Sequence, residues 1–169
     1  MNFGDFRGVY PAIPPKRAPR DPDECVQMTL ADGMRFLAGP VREPVTIVRV
    51  PTTQEETLVG RYLWVIGPTD CPHGLEEGPF GQARRLGQVK HTNLTGGGNA
   101  HCGGELWYLT DDRVLINGAS GRYGPATEQQ LHDAARCLQA LGYSVGYMRF
   151  GESNKPMTFA AGEEDVVWL

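Results

Sequence analysis

The chain has 169 residues and a formal net charge of −4, which suits one domain with a single hydrophobic core. Its basic residues are scattered, so the sequence lacks the basic surface typical of nucleic-acid-binding proteins. It contains neither a signal-peptide pattern nor an apolar run long enough to span a membrane, so we expect a cytoplasmic protein, or effector cargo secreted without a Sec signal, and no membrane partner.

The first 22 residues are rich in proline, and we predict that they form an arm beside a single folded domain of residues 23–169. Pro14 and Pro15 lie in the middle of this segment and favour extended backbone over a packed element. The arm is either a surface strap or tail, or a segment that binds a protein partner.

A helix is predicted directly after the arm. Asp21 is a suitable N-cap and Pro22 suits the first helical position. Apolar residues then recur at helical spacing as far as Leu37, before Gly39 ends the run. We expect this amphipathic helix to pack within the domain and to carry no chemistry of its own.

Two strands and a long loop are predicted next. Residues 45–50 and 61–66 are rich in β-branched and aromatic side chains. Residues 67–83 are rich in glycine and proline, so we expect a long excursion that could act as a lid.

The central stretch is predicted to carry the site. A strand ends at His91, a glycine loop covers 96–104, and β-prone runs in 105–117 favour a hairpin. A tight turn then leads into a helix over 128–141, which opens with a Thr-x-x-Gln capping box.

Two further strands are predicted, over 143–150 and at 166–169. Because the strands are joined by hairpins and not by regular alternation with helices, the pattern predicts an α+β domain. We expect a mostly antiparallel sheet with two main helices.

Several short motifs follow one another in a recognisable order. They are Lys90-His91-Thr92-Asn93-Leu94, a glycine loop, Ala100-His101-Cys102-Gly103-Gly104-Glu105 and Ser120-Gly121-Arg122-Tyr123-Gly124-Pro125. Together they resemble the pattern His-Ser-Ser-Phe, Gly-Gly, Ala-Ala-Gly-Glu, Ser-Gly-His-Tyr-x-Pro. That pattern occurs in the core of plant IQ-motif calmodulin-binding proteins and in similar C-terminal regions of bacterial toxin or effector proteins. The resemblance covers about residues 60–145 and implies a shared fold and cleft, but no calmodulin binding, because an IQ segment is missing.

The residue types in this stretch suit a polar ligand that contains a ring. A histidine at a strand end, a carboxylate on a hairpin and an aromatic residue after a turn would surround such a ligand. The predicted catalytic residues are His91, Glu105, Ser120 and Tyr123. The predicted cofactor-binding residues are Thr92, Gly96, Gly97, Gly98, Asn99 and Arg122.

The toxin-like context favours an enzyme that uses nicotinamide adenine dinucleotide (NAD) to transfer ADP-ribose. His91 would anchor a ribose, Tyr123 would stack on the nicotinamide, and Glu105 would stabilise the oxocarbenium charge. One feature opposes this hypothesis, because the catalytic glutamate of ADP-ribosyltransferases comes last in the chain, whereas Glu105 precedes Tyr123.

Two alternatives remain from the sequence. In the first, these residues are structural: His91 caps a strand, Glu105 pairs with Arg113, and Tyr123 is part of the core. In the second, the protein is a non-catalytic binding module of the interaction or immunity type, with a protein partner.

Metal binding is not predicted. The right ligand types for zinc occur at Cys71, His73, His101 and Cys102. Their spacing is unusual, however, since adjacent residues of an extended chain point apart. The four cysteines are far apart in sequence, so we expect reduced thiols, with two disulfides as the alternative.

Overall fold

A seven-stranded sheet forms the centre of the protein, and the computed structural model describes all 169 residues. The strands are β1 (Arg35–Phe36), β2 (Tyr62–Ile66), β3 (Pro72–Leu75), β4 (Cys102–Tyr108), β5 (Arg113–Ile116), β6 (Ser144–Met148) and β7 (Val166–Trp168). The helices are α1 (Phe3–Val9), α2 (Pro79–Ala83), α3 (His91–Thr95) and α4 (Glu128–Ala140). None of them is long and apolar enough to cross a bilayer.

The strand order is β1-β3-β2-β4-β5-β6-β7. Five of the six neighbouring pairs are antiparallel, and only β5 and β6 run parallel. That pair needs a crossover connection, and α4 supplies it. The α+β class expected from the sequence is therefore confirmed, with one parallel pair in the sheet.

Both faces of the sheet are covered. Trp64 and Ile66 of β2 point into a core shared with α1 and α4. Leu63 and Val65 alternate with them and belong to a second cluster, which includes Leu94 of α3. The candidate site described below lies on this second face.

Several predicted elements are confirmed. Strands β2, β6 and β7 lie where they were expected, and β4 and β5 form the predicted antiparallel hairpin. Helix α4 begins as its capping box predicts, because the Thr127 side chain accepts a hydrogen bond of 3.1 Å from the Gln130 amide. Gly142 follows the helix with a positive φ of 103°.

The long helix predicted over residues 22–37 is wrong. Asp21 does cap a turn, but the turn is a 3-10 helix that ends at Cys25. Asn93 then competes for the backbone groups that a helix would use, since its side-chain amide donates to the carbonyls of Asp23 and Val26. Helix α4 is consequently the one long helix.

The strand predicted over residues 45–50 is also wrong. Strand β4 already has β2 and β5 as neighbours, and its pairing with β2 ends at Leu106. Only the free end of β4 remains, and there Ile47 forms a single bridge to Tyr108. The Ile47 side chain is left 49% exposed.

The predicted lid over residues 67–83 lies within the fold. Strand β3 sits between β1 and β2 in the sheet, and His73 is 2% exposed. The His73 ring bonds to the Arg35 carbonyl at 3.1 Å and to the Tyr108 hydroxyl at 2.8 Å. A strand that contains proline and glycine has little β propensity, so its sequence resembles a loop.

The N-terminal segment is a helix followed by a strap. Phe6 of α1 is fully buried against the core. Further along, Ile13 exchanges two backbone hydrogen bonds with Ala100, of 2.8 and 3.0 Å. Lys16 donates from its backbone amide to Arg122 and from Nζ to the Gly124 carbonyl. The proline-rich part is therefore fixed along the surface, beside the predicted site.

The Gly103-Gly104 pair is explained by close packing in the middle of β4. A Cβ atom at Gly104 would lie 1.9 Å from the carbonyl oxygen of Asn117, and one at Gly103 would lie 2.9 Å from a methyl group of Val65. Real Cβ atoms do not approach so closely, so only glycine fits at these positions.

We expect Gly104→Ala to destabilise the protein by about 3 kcal/mol or more, because the added methyl group forces the 117–118 backbone away from β4. Urea denaturation followed by circular dichroism measures this change. Gly8→Ala is the matched control, since nothing lies within 4 Å of a Cβ there, and it should be neutral or stabilise α1 by up to about 1 kcal/mol. Equal stabilities for the two variants would refute the packing explanation.

Candidate functional site

A cleft of about 660 Å³ opens on the second face of the sheet, a volume typical of ligand-binding sites. It brings together four of the predicted site residues: His91, Glu105, Ser120 and Arg122. Leu63 contributes apolar lining and pairs directly with Glu105 across β2 and β4.

Three different elements position these side chains. His91 is the first residue of α3 and does not end a strand, as the sequence had suggested. Glu105 lies on β4. Ser120 and Arg122 lie in the turn after β5, where the Ser120 hydroxyl accepts hydrogen bonds from the amides of Arg122 and Tyr123. The turn is thus held in shape by its own serine, since small polar side chains bond readily to nearby backbone.

Two carboxylates share one guanidinium at the floor of the cleft. Arg61 bonds to Glu76 and lies 3.3 Å from Glu105, and all three side chains are only 10–12% exposed. The Asn117 side-chain amide donates to Glu105 at 2.9 Å. Burial raises the pKa of Glu105 above its ordinary value, while Arg61 and Asn117 oppose that shift.

The alternative pairing of Glu105 with Arg113 is wrong. The Arg113 guanidinium lies 4.0 Å from the centre of the Trp168 ring, at the far end of the sheet. Glu105 instead pairs with Arg61, which directly precedes β2.

His91 is a neutral hydrogen-bond acceptor that lines the cleft and is 8% exposed. Its Nε2 atom lies 2.9 Å from the Gly104 carbonyl oxygen, and because a carbonyl can only accept, Nε2 carries the proton. Burial, together with the charges of Arg122 and Arg61, lowers the pKa of His91 to about 4. The lone pair therefore resides on Nδ1.

The rim of the cleft is basic. Arg17 and Arg20 from the strap are exposed, and Lys90 precedes α3. Arg122 pairs with Glu24 at 2.9 Å, and this bond is the main cause that lowers the pKa of Glu24. The strap thus brings exposed positive charge to the cleft, whereas Arg122 is as buried as the carboxylates of the floor.

Tyr123 does not line the cleft. Its ring is fully buried in the second core cluster, as the structural alternative expected. Its hydroxyl donates to the Gly98 carbonyl at 2.6 Å and lies 2.9 Å from the Thr95 hydroxyl. The ring is therefore not available to stack on a ligand.

The glycine loop also lies away from the cleft. Gly96 and Gly97 have positive φ angles of 63° and 82° and end α3, as glycine commonly does at helix C-termini. Gly98 and Asn99 line a separate, smaller depression of about 250 Å³. These glycines form a helix cap and not part of the cleft lining.

Thr92 contributes to the cleft only through its contact with Arg122. It is fully buried, and its hydroxyl donates to the Glu24 carbonyl and accepts from Arg122 at 3.2 Å. Thr92 therefore holds Arg122 in place but does not reach the cleft.

The residues considered for zinc are dispersed among structural roles. No group of three or more histidine, cysteine, aspartate or glutamate side chains is arranged to hold a metal ion. His101 bonds to the Tyr10 carbonyl through Nδ1. Cys102 is fully buried, and burial raises its pKa to about 12, which disfavours the thiolate form of a nucleophile.

The chain matches no protein-family model, no curated protein and no solved structure. The resemblance to the core of plant IQ-motif proteins and bacterial effectors thus stays a prediction. Function has to be inferred from the chemistry of the cleft.

Sequence reasoning missed several cleft residues. Glu76 lies in the segment predicted as a lid, and Arg17 and Arg20 lie in the predicted arm. Arg61 opens a strand that was expected only to pack. Charged residues that border apolar strands could have indicated Arg61 and Glu76, but the contribution of the arm depends on its path over the surface.

The lowered pKa of His91 predicts that stability falls as the pH drops from 6.5 towards 4. In this range the unfolded chain binds a proton at His91, whereas the folded protein excludes it. The loss is up to about 1.4 kcal/mol per pH unit. His91→Gln should flatten the slope of unfolding free energy against pH by this amount, measured by urea denaturation at a series of pH values.

The other titrating groups are the same in the wild-type protein and in His91→Gln, so their contributions cancel when the two slopes are subtracted. The pKa of His73 is likewise lowered to about 4 by burial, so His73→Gln should flatten the slope in the same way. An unchanged slope in His91→Gln would mean that His91 is protonated in the folded protein.

Proposed function

We propose that the cleft binds a phosphorylated ligand of the nucleotide class and that the protein is a small enzyme domain of the toxin or effector type. NAD is the proposed ligand, and transfer of ADP-ribose is the proposed reaction. The observation that carries this proposal is the arrangement of charge in the cleft, with exposed Arg17 and Arg20 at the rim and the buried carboxylates of Glu76 and Glu105 at the floor.

The rim suits phosphate groups. Arg122 has five N–H donors, of which the protein uses one for Glu24 and one for Thr92. The remaining donors, with Lys90 and Arg17 nearby, can bind phosphate oxygens through charge-assisted hydrogen bonds. If the pyrophosphate binds to these basic side chains, the rest of the ligand can extend into the cleft.

The floor suits positive charge that develops during the reaction. When the bond between ribose C1′ and nicotinamide breaks, nicotinamide leaves with the electron pair and C1′ acquires oxocarbenium character. A carboxylate at Glu105 stabilises this charge strongly because it is buried and weakly screened. The acceptor nucleophile then forms the new bond to C1′ and loses its proton.

The absence of an aromatic ring from the cleft alters one role expected from the sequence. Tyr123 is buried elsewhere, so stacking on nicotinamide is not part of the proposal. Leu63, Val89 and Ala119 provide apolar lining instead, and contact with such side chains also favours a planar ring.

A group of exposed aliphatic side chains supports the alternative function, a non-catalytic module that binds a protein partner. Ile47, Leu58 and Val59 are 45–58% exposed, and the 46–48 segment contacts Gly60 closely. Exposed aliphatic side chains that lie together favour protein binding. Substitution of Val59 by serine should then weaken partner binding without affecting ligand binding in the cleft.

Calorimetric titration with NAD and ADP-ribose tests the proposal. We expect both to bind the wild-type protein and Lys90→Ala to bind them about tenfold more weakly, a change of about 1.4 kcal/mol. Lys155→Ala is the matched control, because Lys155 is exposed and does not line the cleft. Failure of the wild-type protein to bind either ligand would refute the proposal.

The reaction is tested by chromatographic measurement of nicotinamide release. Glu105→Gln should lower the rate at saturating NAD at least about 100-fold. Folding should persist, since glutamine keeps the size of the side chain and Arg61 keeps Glu76 as its partner. A rate that is unchanged in this variant would exclude Glu105 from the chemistry.

A further inference from the structure

The floor of the cleft presents hydrogen-bond acceptors from two carboxylates and one histidine. We propose that His91, Glu76 and Glu105 together recognise two adjacent hydroxyl groups of a sugar, and that Glu76 is a specificity-determining residue of the site. This inference rests on the proposed ligand-binding role of the cleft, but not on NAD as the ligand.

His91 provides the first acceptor. Its Nε2–H is committed to the Gly104 carbonyl, so the tautomer is fixed and Nδ1 can only accept. No protein group donates to Nδ1, and no buried side-chain nitrogen or oxygen in the protein lacks a partner. Nδ1 is therefore open to the cleft, although the residue as a whole is more than nine-tenths buried.

The two carboxylates provide the other acceptors. One guanidinium, Arg61, serves both Glu76 and Glu105, and an ionised carboxylate has about four lone-pair positions. Asn117 occupies one further position on Glu105. The lone pairs that remain face a space that the protein leaves open, so a ligand must supply the donors.

Hydroxyl groups match this floor better than a cation does. Arg61 already neutralises part of the negative charge, and Arg122 and Lys90 line the same cleft, so a second cation would meet repulsion. A sugar hydroxyl can donate to a carboxylate or to His91 without adding charge. Adjacent hydroxyls on one ring can reach neighbouring acceptors together.

The rim fixes the direction in which the ligand enters. Its arginine and lysine side chains are donors only, and Arg17 and Arg20 are exposed whereas Glu76 and Glu105 are largely buried. A ligand with hydroxyls at one end and a phosphate at the other would thus insert the hydroxyls and leave the phosphate at the rim. Sugar phosphates and nucleotides that carry a vicinal diol are the class that fits.

Calorimetric titration with ribose 5-phosphate, 2-deoxyribose 5-phosphate and inorganic pyrophosphate tests the inference. The wild-type protein should bind ribose 5-phosphate at least about tenfold more tightly than the deoxy compound, because the deoxy compound leaves a buried acceptor unpaired. Glu76→Gln should reduce this ratio at least about fivefold without weakening pyrophosphate binding. Glu77→Gln, an identical change at an exposed neighbour outside the cleft, should preserve the ratio.

Several results would overturn the inference. They are equal binding of the two sugar phosphates by the wild-type protein, no binding of either, tighter binding of methylguanidinium than of ribose 5-phosphate, or an unchanged ratio in Glu76→Gln. If circular dichroism shows that Glu76→Gln does not fold, Glu76→Asp keeps the charge but withdraws the carboxylate, and the same loss of discrimination is expected.

The two proposals can fail separately. Discrimination between the sugar phosphates without any binding of NAD would refute the dinucleotide proposal and leave the hydroxyl site standing. Cleavage of NAD without discrimination between ribose and deoxyribose phosphates would overturn the hydroxyl site alone.

Discussion

The contact between Asn117 and strand β4 is the constraint on which the site depends. The Asn117 side-chain oxygen accepts hydrogen bonds from the amides of Glu105 and Ala119, both at 3.0 Å, while its amide donates to the Glu105 carboxylate. Asn117 is fully buried, so each of these bonds would be costly to lose. The contact requires a glycine at position 104, and it fixes the turn that carries Ser120 relative to the strand that carries Glu105.

The same contact explains why a charged floor is tolerated within the fold. Burying a carboxylate is unfavourable unless it is paired and hydrogen-bonded, and Glu105 has both Arg61 and Asn117 as partners. Arg61 must divide its hydrogen bonds between Glu105 and Glu76, which leaves a net negative charge beneath the cleft. A fold that needed only stability could have used one carboxylate, so the second points to a ligand.

The sequence predicted those elements whose stability is local. Helix α4 has its own cap and apolar face, and β2, β4 and β5 have β-branched or aromatic residues where the strands are. Prediction from the sequence failed where contacts with residues distant in the chain determine the backbone conformation. The Asn93 side chain prevents a long helix after Asp21, because it donates to the carbonyls of Asp23 and Val26. No local sequence pattern indicates that competition.

The candidate site was predicted in part for the same reason. His91 and Glu105 lie within regular elements, and both could be recognised from their chemical type and position. The glycines after α3 were misjudged, because a helix cap and a ligand-binding loop both require positive φ. The strap contributes Arg17 and Arg20 only because Ile13 and Lys16 fix its path, which is a property of the folded surface.

Burial shifts the pKa values of His91 and Glu105 in opposite directions. Both shifts favour the neutral form, so the pKa of His91 falls to about 4 while the pKa of Glu105 rises. A histidine with so low a pKa is a weak base, and it serves better as a fixed hydrogen-bond acceptor. A carboxylate with a raised pKa lies closer to the range in which proton transfer is efficient. If a proton is removed from an acceptor in this cleft, Glu105 is therefore the better base, and His91 orients the ligand.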